Sequence, residues 1–123
     1  MYALFLILND TTKLDLILEK LFEIGVGATV ADTVGMGKML SESNRDLPIF
    51  SSIRKIIDGD RPFNKTIISV IKQEEKLKKA KDIIKEELDY MKNPNTGFMF
   101  VVPVIECYGF GLKSDETKED EKE

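Results

Sequence analysis

The fold is decided by a run of seven apolar residues near the start of the chain, Tyr2-Ala3-Leu4-Phe5-Leu6-Ile7-Leu8. Continuous apolar sequence of this length, without alternation of polar and apolar residues, is typical of a strand buried on both faces. The run is too short for a membrane-spanning helix, which needs roughly 20 residues, and it lacks the basic start of a signal peptide. We therefore expect a strand that is buried on both faces, in a cytoplasmic protein that is not itself embedded in a membrane.

A helix and a second strand are predicted directly after this run. Asn9-Asp10-Thr11-Thr12 supplies side chains that can cap free backbone amides at a helix start. Apolar residues then recur with the spacing of one helix face, at Leu14, Ile17, Leu18, Leu21 and Phe22. Gly25 is expected to end this helix because glycine tolerates positive φ. A strand over residues 28–34 follows.

The second half of the chain repeats this order of elements. Residues 66–71 are rich in β-branched side chains and predict a strand. Residues 74–91 have an apolar face and a charged face, which predicts a helix. The turn sequence Asn93-Pro94-Asn95-Thr96-Gly97 then leads into a strand over residues 98–104. Pro103 favours an edge position or a bulge for that strand, because proline cannot donate to the ladder.

Strand, helix, strand, strand, helix, strand is the order of an α+β, ferredoxin-like βαββαβ domain. Its four-stranded antiparallel sheet would carry two helices on one face and leave an apolar face bare, which favours oligomerisation. We place this domain in residues 1–112, including a long insertion over residues 39–63. The charged segment 113–123 has nothing to bury and is expected to be a disordered tail.

Charge and composition exclude several classes of protein. The net charge is −4, and the tail carries six acids against three lysines, so the rest of the chain is close to neutral. Without a basic field, nucleic acid is not expected as a partner. The chain has no histidine and a single cysteine, Cys107, which removes the commonest general base, the commonest metal ligand and any intrachain disulfide.

The segment Gly35-Met36-Gly37-Lys38 stands where the second predicted strand opens into a polar connection that runs to about Asn64. Connections of this length are uncommon in small domains and are usually functional or disordered. Glycines at a strand end allow the backbone to approach an anionic ligand closely. The alternative is that the glycines only permit a bulge and that Lys38 is a solvated surface lysine.

Three segments together resemble the PII signal-transduction family of nitrogen regulatory proteins, in its divergent PII-like branch. Glu23-Ile24-Gly25-Val26 with Ala28-Thr29-Val30 is similar to that family's first helix end and second strand. Gly35-Met36-Gly37-Lys38 resembles the start of its T-loop. Thr96-Gly97-Phe98-Met99-Phe100-Val101-Val102-Pro103-Val104 resembles its B-loop. The order and lengths of the elements agree over residues 1–108.

This resemblance implies a homotrimer that binds a small effector in clefts between subunits. The effector would be an adenine nucleotide (AMP, ADP or ATP) or a cyclic dinucleotide, with no required cofactor. The loop over residues 39–63 would report occupancy to a membrane transporter or an enzyme. Thr29 would face the base or ribose, the glycine loop would approach the phosphates, and the B-loop would supply backbone donors. The implied ligand-binding residues are Thr29, Gly35, Met36, Gly37, Lys38, Asn95, Thr96 and Gly97.

The sequence departs from the family where phosphate is held. The basic residues of the family's B-loop and C-terminal motif fall on Phe98, Gly109 and Gly111. Charge-assisted hydrogen bonds are about twice as strong as neutral ones, so their loss should weaken triphosphate binding. A ligand with less charge, such as AMP, a cyclic dinucleotide or an adenosyl compound, would fit better, or no nucleotide would bind.

Other interpretations of the same residues stay open. Asn95-Thr96-Gly97 is also a plausible tight turn without a ligand, and residues 49–57 form either part of the core or a docking surface. A CutA-like structural or metal-handling trimer shares this topology. The carboxylates of Asp10, Asp32 and Glu106 follow no recognisable metal-binding spacing. Because no nucleophile–base pair can be identified, we do not expect an enzyme.

Overall fold

The computed structural model describes residues 1–36, 64–93 and 95–109. The predicted loop over 39–63, the predicted tail over 113–123, and Gly37, Lys38 and Gly111 lie outside these ranges. The described part contains the six predicted elements in the predicted order. They are β1 (Tyr2–Leu8), α1 (Leu14–Glu23), β2 (Thr29–Thr33), β3 (Asn64–Ile71), α2 (Glu74–Glu87) and β4 (Gly97–Pro103).

The four strands form one sheet in the order β2-β3-β1-β4, and every neighbouring pair is antiparallel. The predicted α+β ferredoxin-like fold is therefore confirmed. β1 is one of the two central strands, and β4 is an edge strand, which is one of the two arrangements that Pro103 favoured. The strand boundaries differ slightly from the prediction, since β3 begins at Asn64 and β2 spans only five residues.

The core lies between one face of the sheet and the two helices. Because successive side chains of a strand point to opposite faces, Leu4, Leu6 and Leu8 of β1 face the helices together. All three are buried, and each fully buried side chain of this kind contributes about 1.5–3 kcal/mol. Among the described residues, the buried cluster consists of Leu4, Leu6, Leu8, Ile17, Leu21, Val26, Ile67, Ile71, Leu77, Ala80, Ile84 and Leu88.

The prediction that Phe22 belongs to the buried face of the first helix is wrong, because its side chain is 81% exposed. The buried residues of α1 are Ile17 and Leu21, which fix the direction that faces the core. At 100° per residue, Phe22 points about 120° away from the middle of that direction. Gly25 does end the helix as predicted, with φ +78° and its amide donating to Phe22 O.

The second helix is shorter than predicted. α2 ends at Glu87, and the chain then makes a short 3-10 turn over Asp89–Met91. All three residues of this turn have positive φ, between 49° and 57°. The left-handed turn redirects the chain so that Thr96 O can accept hydrogen bonds from Asn9 N and Asp10 N, at 2.9 and 3.1 Å. These bonds tie the start of β4 to the end of β1.

The described helices leave the other face of the sheet uncovered, and we call it the open face. It carries aromatic rings from two neighbouring strands: Phe5 stacks on Phe100 with centroids 4.9 Å apart, and Phe98 follows at 6.2 Å from Phe100. Phe5 and Ile7 are only partly buried. The prediction that β1 is buried on both faces is therefore not met within a single chain, and the predicted trimer remains a prediction.

Candidate functional site

A pocket of about 760 Å³ lies at one end of the open face. In this antiparallel sheet, the last residues of β1 and β2 and the first residues of β3 and β4 meet at the same end. Pockets for small ligands commonly have volumes of ≈ 300–1,000 Å³. The described residues that line this one are Ile7, Asn9, Thr33, Val34, Gly35, Asn64, Thr66, Asn95 and Phe98.

The strand register explains why residues far apart in sequence meet here. Ile7 of β1 lies opposite Thr66 of β3 on one side and opposite Phe98 of β4 on the other. Thr33 of β2 lies opposite Asn64. Since residues two apart share a face, the floor of the pocket is formed by open-face side chains from all four strands.

Two hydroxyls of the pocket are bonded to each other. The oxygens of Thr33 and Thr66 are 2.6 Å apart, so one hydroxyl donates to the other. Thr33 Oγ1 also lies 3.5 Å from Asn64 O, at the limit for a hydrogen bond. The two threonines therefore satisfy much of their own hydrogen-bonding capacity, and they hold β2 against β3 at the pocket wall.

Asn64 differs from the threonines because its side-chain oxygen has no hydrogen-bond partner. The residue is 5% exposed, and Oδ1 is buried within the described structure without a donor. Leaving a buried acceptor unpaired costs about 1–3 kcal/mol. The one other buried side-chain atom of this kind among the described residues, Ser69 Oγ, lies on the helix-facing side of β3. Asn64 thus lines the pocket, while its unpaired Oδ1 is enclosed by protein atoms.

The described pocket lining carries no ionisable side chain. The nearest charges in register are Asp32 and Lys65, which face the helix side of the sheet and form an ion pair with each other. At the opposite end of β1, the Tyr2 hydroxyl donates a hydrogen bond to the Glu74 carboxylate, and this bond raises the pKa of Tyr2. The described part of the pocket is therefore uncharged, with apolar and uncharged polar side chains.

The structure brings two of the predicted ligand-binding residues together. Gly35 and Asn95 both line the pocket, from opposite edges of the sheet. Met36 follows Gly35 and is exposed, but it does not line the pocket. Thr29 is exposed on β2 four residues before Thr33, which places it about 13 Å farther along the strand. The predicted roles of Gly37 and Lys38 lie outside the described residues.

The predicted backbone donors of the B-loop have acceptors inside their own turn. Asn95 N donates to Asn93 Oδ1 at 2.9 Å, and Thr96 N donates to Asn93 O at 3.1 Å. Gly97 has φ +149°, and a Cβ at this position would lie 2.4 Å from Ile7 O. Of this segment, Asn95 lines the pocket. Gly97 allows β4 to approach β1 closely.

Most of the pocket lining was not identified from the sequence, namely Ile7, Asn9, Thr33, Val34, Asn64 and Thr66. Asn64 and Thr66 carried a usable signal, because they place polar side chains two residues apart at the start of a strand that is mainly apolar from Ile67 onwards. Phe98, which stands in the place of the family's B-loop lysine, also lines the pocket. Every second residue of each strand faces the open side of the sheet, but only the register between strands shows which of these residues meet at the pocket.

The part of the chain that the structure describes has no metal-binding cluster and no membrane-spanning helix. No group of three or more histidine, cysteine, aspartate or glutamate side chains there is arranged to hold a metal ion. Asp10, Asp32 and Glu106 accordingly do not form such a group. In the same ranges, no helix combines the length and the apolar composition needed to cross a membrane.

Comparison with known proteins supports the fold. No protein-family model matches the sequence, and no curated protein matches it. Among solved structures, the chain is similar to the crystal structure of Arabidopsis thaliana PII bound to citrate, with a TM-score of 0.53 and 19% identity. The match covers 84% of this chain and 76% of that chain. At this identity the likeness establishes a shared fold, so the resemblance found in the sequence is confirmed at that level.

Proposed function

We propose that this chain is a PII-like regulatory protein that binds a small effector in the pocket at the end of the open face. The loop over residues 39–63 would then signal occupancy to a membrane transporter or an enzyme. The observation that carries the proposal is the pocket of about 760 Å³, which Gly35 and Asn95 of the predicted site line together with Asn64. Its volume is within the range of small-ligand sites, which favours a binding role over a purely structural one.

The connection to the loop follows from the order of the chain. Val34 and Gly35 line the pocket and lie directly before the loop. A ligand in contact with these residues interacts with the base of the loop, and it shifts the loop between states for which its affinity differs. Regulation in this form needs neither a catalytic residue nor a required cofactor, and we propose that the protein acts in the cytoplasm as a regulator.

Assembly is the second part of the proposal. The open face exposes Phe98, Phe100 and Val102, and such contiguous apolar surface is typical of an interface. We propose a homotrimer in which these faces meet and in which the effector, an adenine nucleotide or a related molecule, binds near the subunit boundary. A CutA-like structural trimer would use the same face but would have no use for a pocket of this size.

Thermal unfolding against a ligand panel tests the proposal. The panel contains adenosine, AMP, ADP, ATP, cyclic di-AMP, S-adenosylmethionine, 2-oxoglutarate and bicarbonate. A ligand present at 100 times its dissociation constant stabilises the native state by about 2.7 kcal/mol, which raises the unfolding midpoint measurably. A shift with one of these ligands supports the regulator. If none of them changes the midpoint and the protein is trimeric, the regulator proposal fails and the CutA-like structural trimer is favoured.

A further inference from the structure

The segment between α2 and β4 forms one wall of the pocket, and its proposed role rests on the function proposed above. We infer that residues 89–93 and 95–97, which we call the strap, open and close as one unit and so admit a ligand at the β4 edge of the sheet. Asn93 is the positioning residue that holds the strap closed. Val34 and Gly35, which precede the predicted loop, line the pocket from the β2 edge instead.

The strap begins in a strained conformation. Asp89, Tyr90 and Met91 have φ values of 49°, 57° and 57°, in the left-handed region that residues other than glycine rarely adopt. Such residues persist only where the surrounding structure holds them in place. Met91 packs against the buried cluster, whereas Asp89 and Tyr90 are exposed and gain little from packing. The strain is therefore held between Met91 and the far end of the strap, and opening of that end relieves it.

Two backbone hydrogen bonds join the far end of the strap to the end of β1. Thr96 O accepts from Asn9 N at 2.9 Å and from Asp10 N at 3.1 Å. Thr96 is only partly buried, and Asn9 is exposed. Backbone hydrogen bonds in exposed positions with few buried apolar contacts open locally, at a lower free energy than the whole fold. The strap is therefore held closed by bonds that can break without unfolding the sheet.

Asn93 organises the turn between the strained residues and these two bonds. Its Oδ1 accepts from Asn95 N at 2.9 Å, and its backbone O accepts from Thr96 N at 3.1 Å and from Thr96 Oγ1 at 2.8 Å. Asn93 thus fixes both Asn95, which lines the pocket, and Thr96, whose carbonyl bonds to the end of β1. Asn9, which donates one of those bonds, also lines the pocket.

Opening of the strap changes the pocket at one edge. Asn9 and Asn95 separate when the bonds to Thr96 O break, because those bonds connect the two parts of the wall. Thr33, Asn64 and Thr66 lie in the paired ends of β2 and β3 and keep their positions. A ligand that contacts Asn9 and Asn95 together binds the closed strap better than the open one, and so it shifts the strap towards closure.

Amide hydrogen exchange of the wild-type protein, resolved by NMR, tests local opening without a ligand. Leu6 of β1 and Ile67 of β3 serve as references, because both lie in central strands of the sheet. We expect the amides of Asn9, Asp10 and Thr96 to share one protection factor, about a hundredfold or more below that of the references. Protection of these three amides equal to that of the references overturns the inference, since the strap would then open only with the whole fold.

Variants of Asn93 show whether this residue holds the strap closed. Asn93→Ala removes the side-chain acceptor of Asn95 N, and we expect exchange at Asn9 and Asp10 to become about fivefold faster or more. Asn93→Asp keeps an acceptor oxygen at the same place and should restore exchange to within about twofold of wild type. Unchanged exchange at Asn9 and Asp10 in Asn93→Ala overturns the inference.

Variants of Tyr90 test the strain at the other end of the strap. Glycine relieves the strain and alanine keeps it, so exchange at Asn9 and Asp10 should be about threefold slower in Tyr90→Gly than in Tyr90→Ala. Ile84→Val, within the buried face of α2, is the control: it should speed exchange at Leu6 and leave Asn9 and Asp10 unchanged. Equal exchange at Asn9 and Asp10 in the two Tyr90 variants overturns the inference, because these bonds would then open independently of the strained turn.

The ligand panel distinguishes this inference from the proposed function. A panel compound that raises the unfolding midpoint should, at 100 times its dissociation constant, slow exchange at Asn9 and Asp10 by about tenfold or more, because it binds the closed strap. If such a compound leaves exchange at Asn9 and Asp10 unchanged, the strap has no part in binding, so the inference is overturned and the regulator stands. If no compound of the panel raises the midpoint, both fail together.

Discussion

The rings of Phe5 and Phe100 stack with their centroids 4.9 Å apart and their planes 9° apart, on the face of the sheet that no described helix covers. The two residues lie directly opposite each other on neighbouring strands. Cross-strand aromatic pairs stabilise a sheet, yet Phe100 remains 43% exposed in the single chain. The Phe5–Phe100 pair therefore belongs to an exposed apolar surface, with Phe98 and Val102, that a second copy of the chain could bury.

Replacing Phe100 by aspartate should convert the proposed trimer into monomers of 14.0 kDa. The new carboxylate would have to be buried without a partner in the interface, and an unpaired buried charge costs several kcal/mol. Light scattering coupled to size-exclusion chromatography measures the mass. Phe22→Asp is the matched control, because Phe22 is exposed on α1 and lies away from the open face. A Phe100→Asp protein with the wild-type mass, or a monomeric wild type, contradicts this assembly.

The glycine at the pocket wall provides a second test. A Cβ at Gly35 would lie 3.7 Å from Asn64 Nδ2, which is ordinary contact, so a larger side chain fits the backbone but extends towards the pocket. Gly35→Leu should therefore weaken binding of the stabilising panel ligand at least tenfold, while the free energy of unfolding changes by less than about 1 kcal/mol.

The control for this experiment is Gly27→Leu, since nothing lies within 4 Å of a Cβ built at Gly27. Gly27 is exposed and is not part of the pocket lining. Equal loss of binding in both variants would indicate a general effect of adding leucine. Unchanged binding in Gly35→Leu would show that the ligand does not use this pocket.

The fold could be predicted from the sequence because its signals are local. The apolar run of β1, the 3.6-residue period of α1 and the glycine at its end each report on a few consecutive residues, and all three were correct in type. Phe22 was misassigned because the five-residue apolar pattern is wider than the part of α1 that the sheet can cover. The end of α2 was missed because Asp89, Tyr90 and Met91 carry no glycine or asparagine to announce positive φ.

The pocket was only partly predictable because it depends on register. Gly35 and Asn95 were identified through local turn chemistry and through the family resemblance. Asn64 and Thr66 meet Thr33 only after β2 and β3 pair, and the sequence does not state which residues lie opposite each other. A shift of β2 by one residue would send Thr33 to the helix side, away from Asn64 and Thr66.

Gly97 should be intolerant of any side chain. Its φ of +149° disfavours other residues, and a Cβ would meet Ile7 O at 2.4 Å, which is backbone that cannot turn away. Gly97→Ala must therefore push β4 away from β1, and we expect a loss of about 2–4 kcal/mol from strain and from weakened strand pairing. Denaturant unfolding measures this loss. Gly27→Ala serves as the control and should change stability by less than about 1 kcal/mol. A Gly97→Ala protein as stable as wild type would contradict this close approach.

In the left-handed turn after α2, a substitution is expected to increase the stability of the protein. Tyr90 has φ +57° and is 62% exposed, so its side chain contributes little packing while its backbone is in a region that costs about 1–2 kcal/mol for a non-glycine residue. Tyr90→Gly should stabilise the protein by about 0.5–1 kcal/mol after the greater flexibility of glycine in the unfolded chain is subtracted.

Tyr90→Ala is the matched variant, since alanine also removes the ring but keeps the Cβ that causes the strain. The glycine protein should therefore unfold at a higher denaturant concentration than the alanine protein. If the two midpoints are equal, the turn does not hold this residue in the left-handed region in solution. If alanine alone lowers stability by more than about 1 kcal/mol, the Tyr90 ring makes contacts that the exposure of the side chain does not suggest.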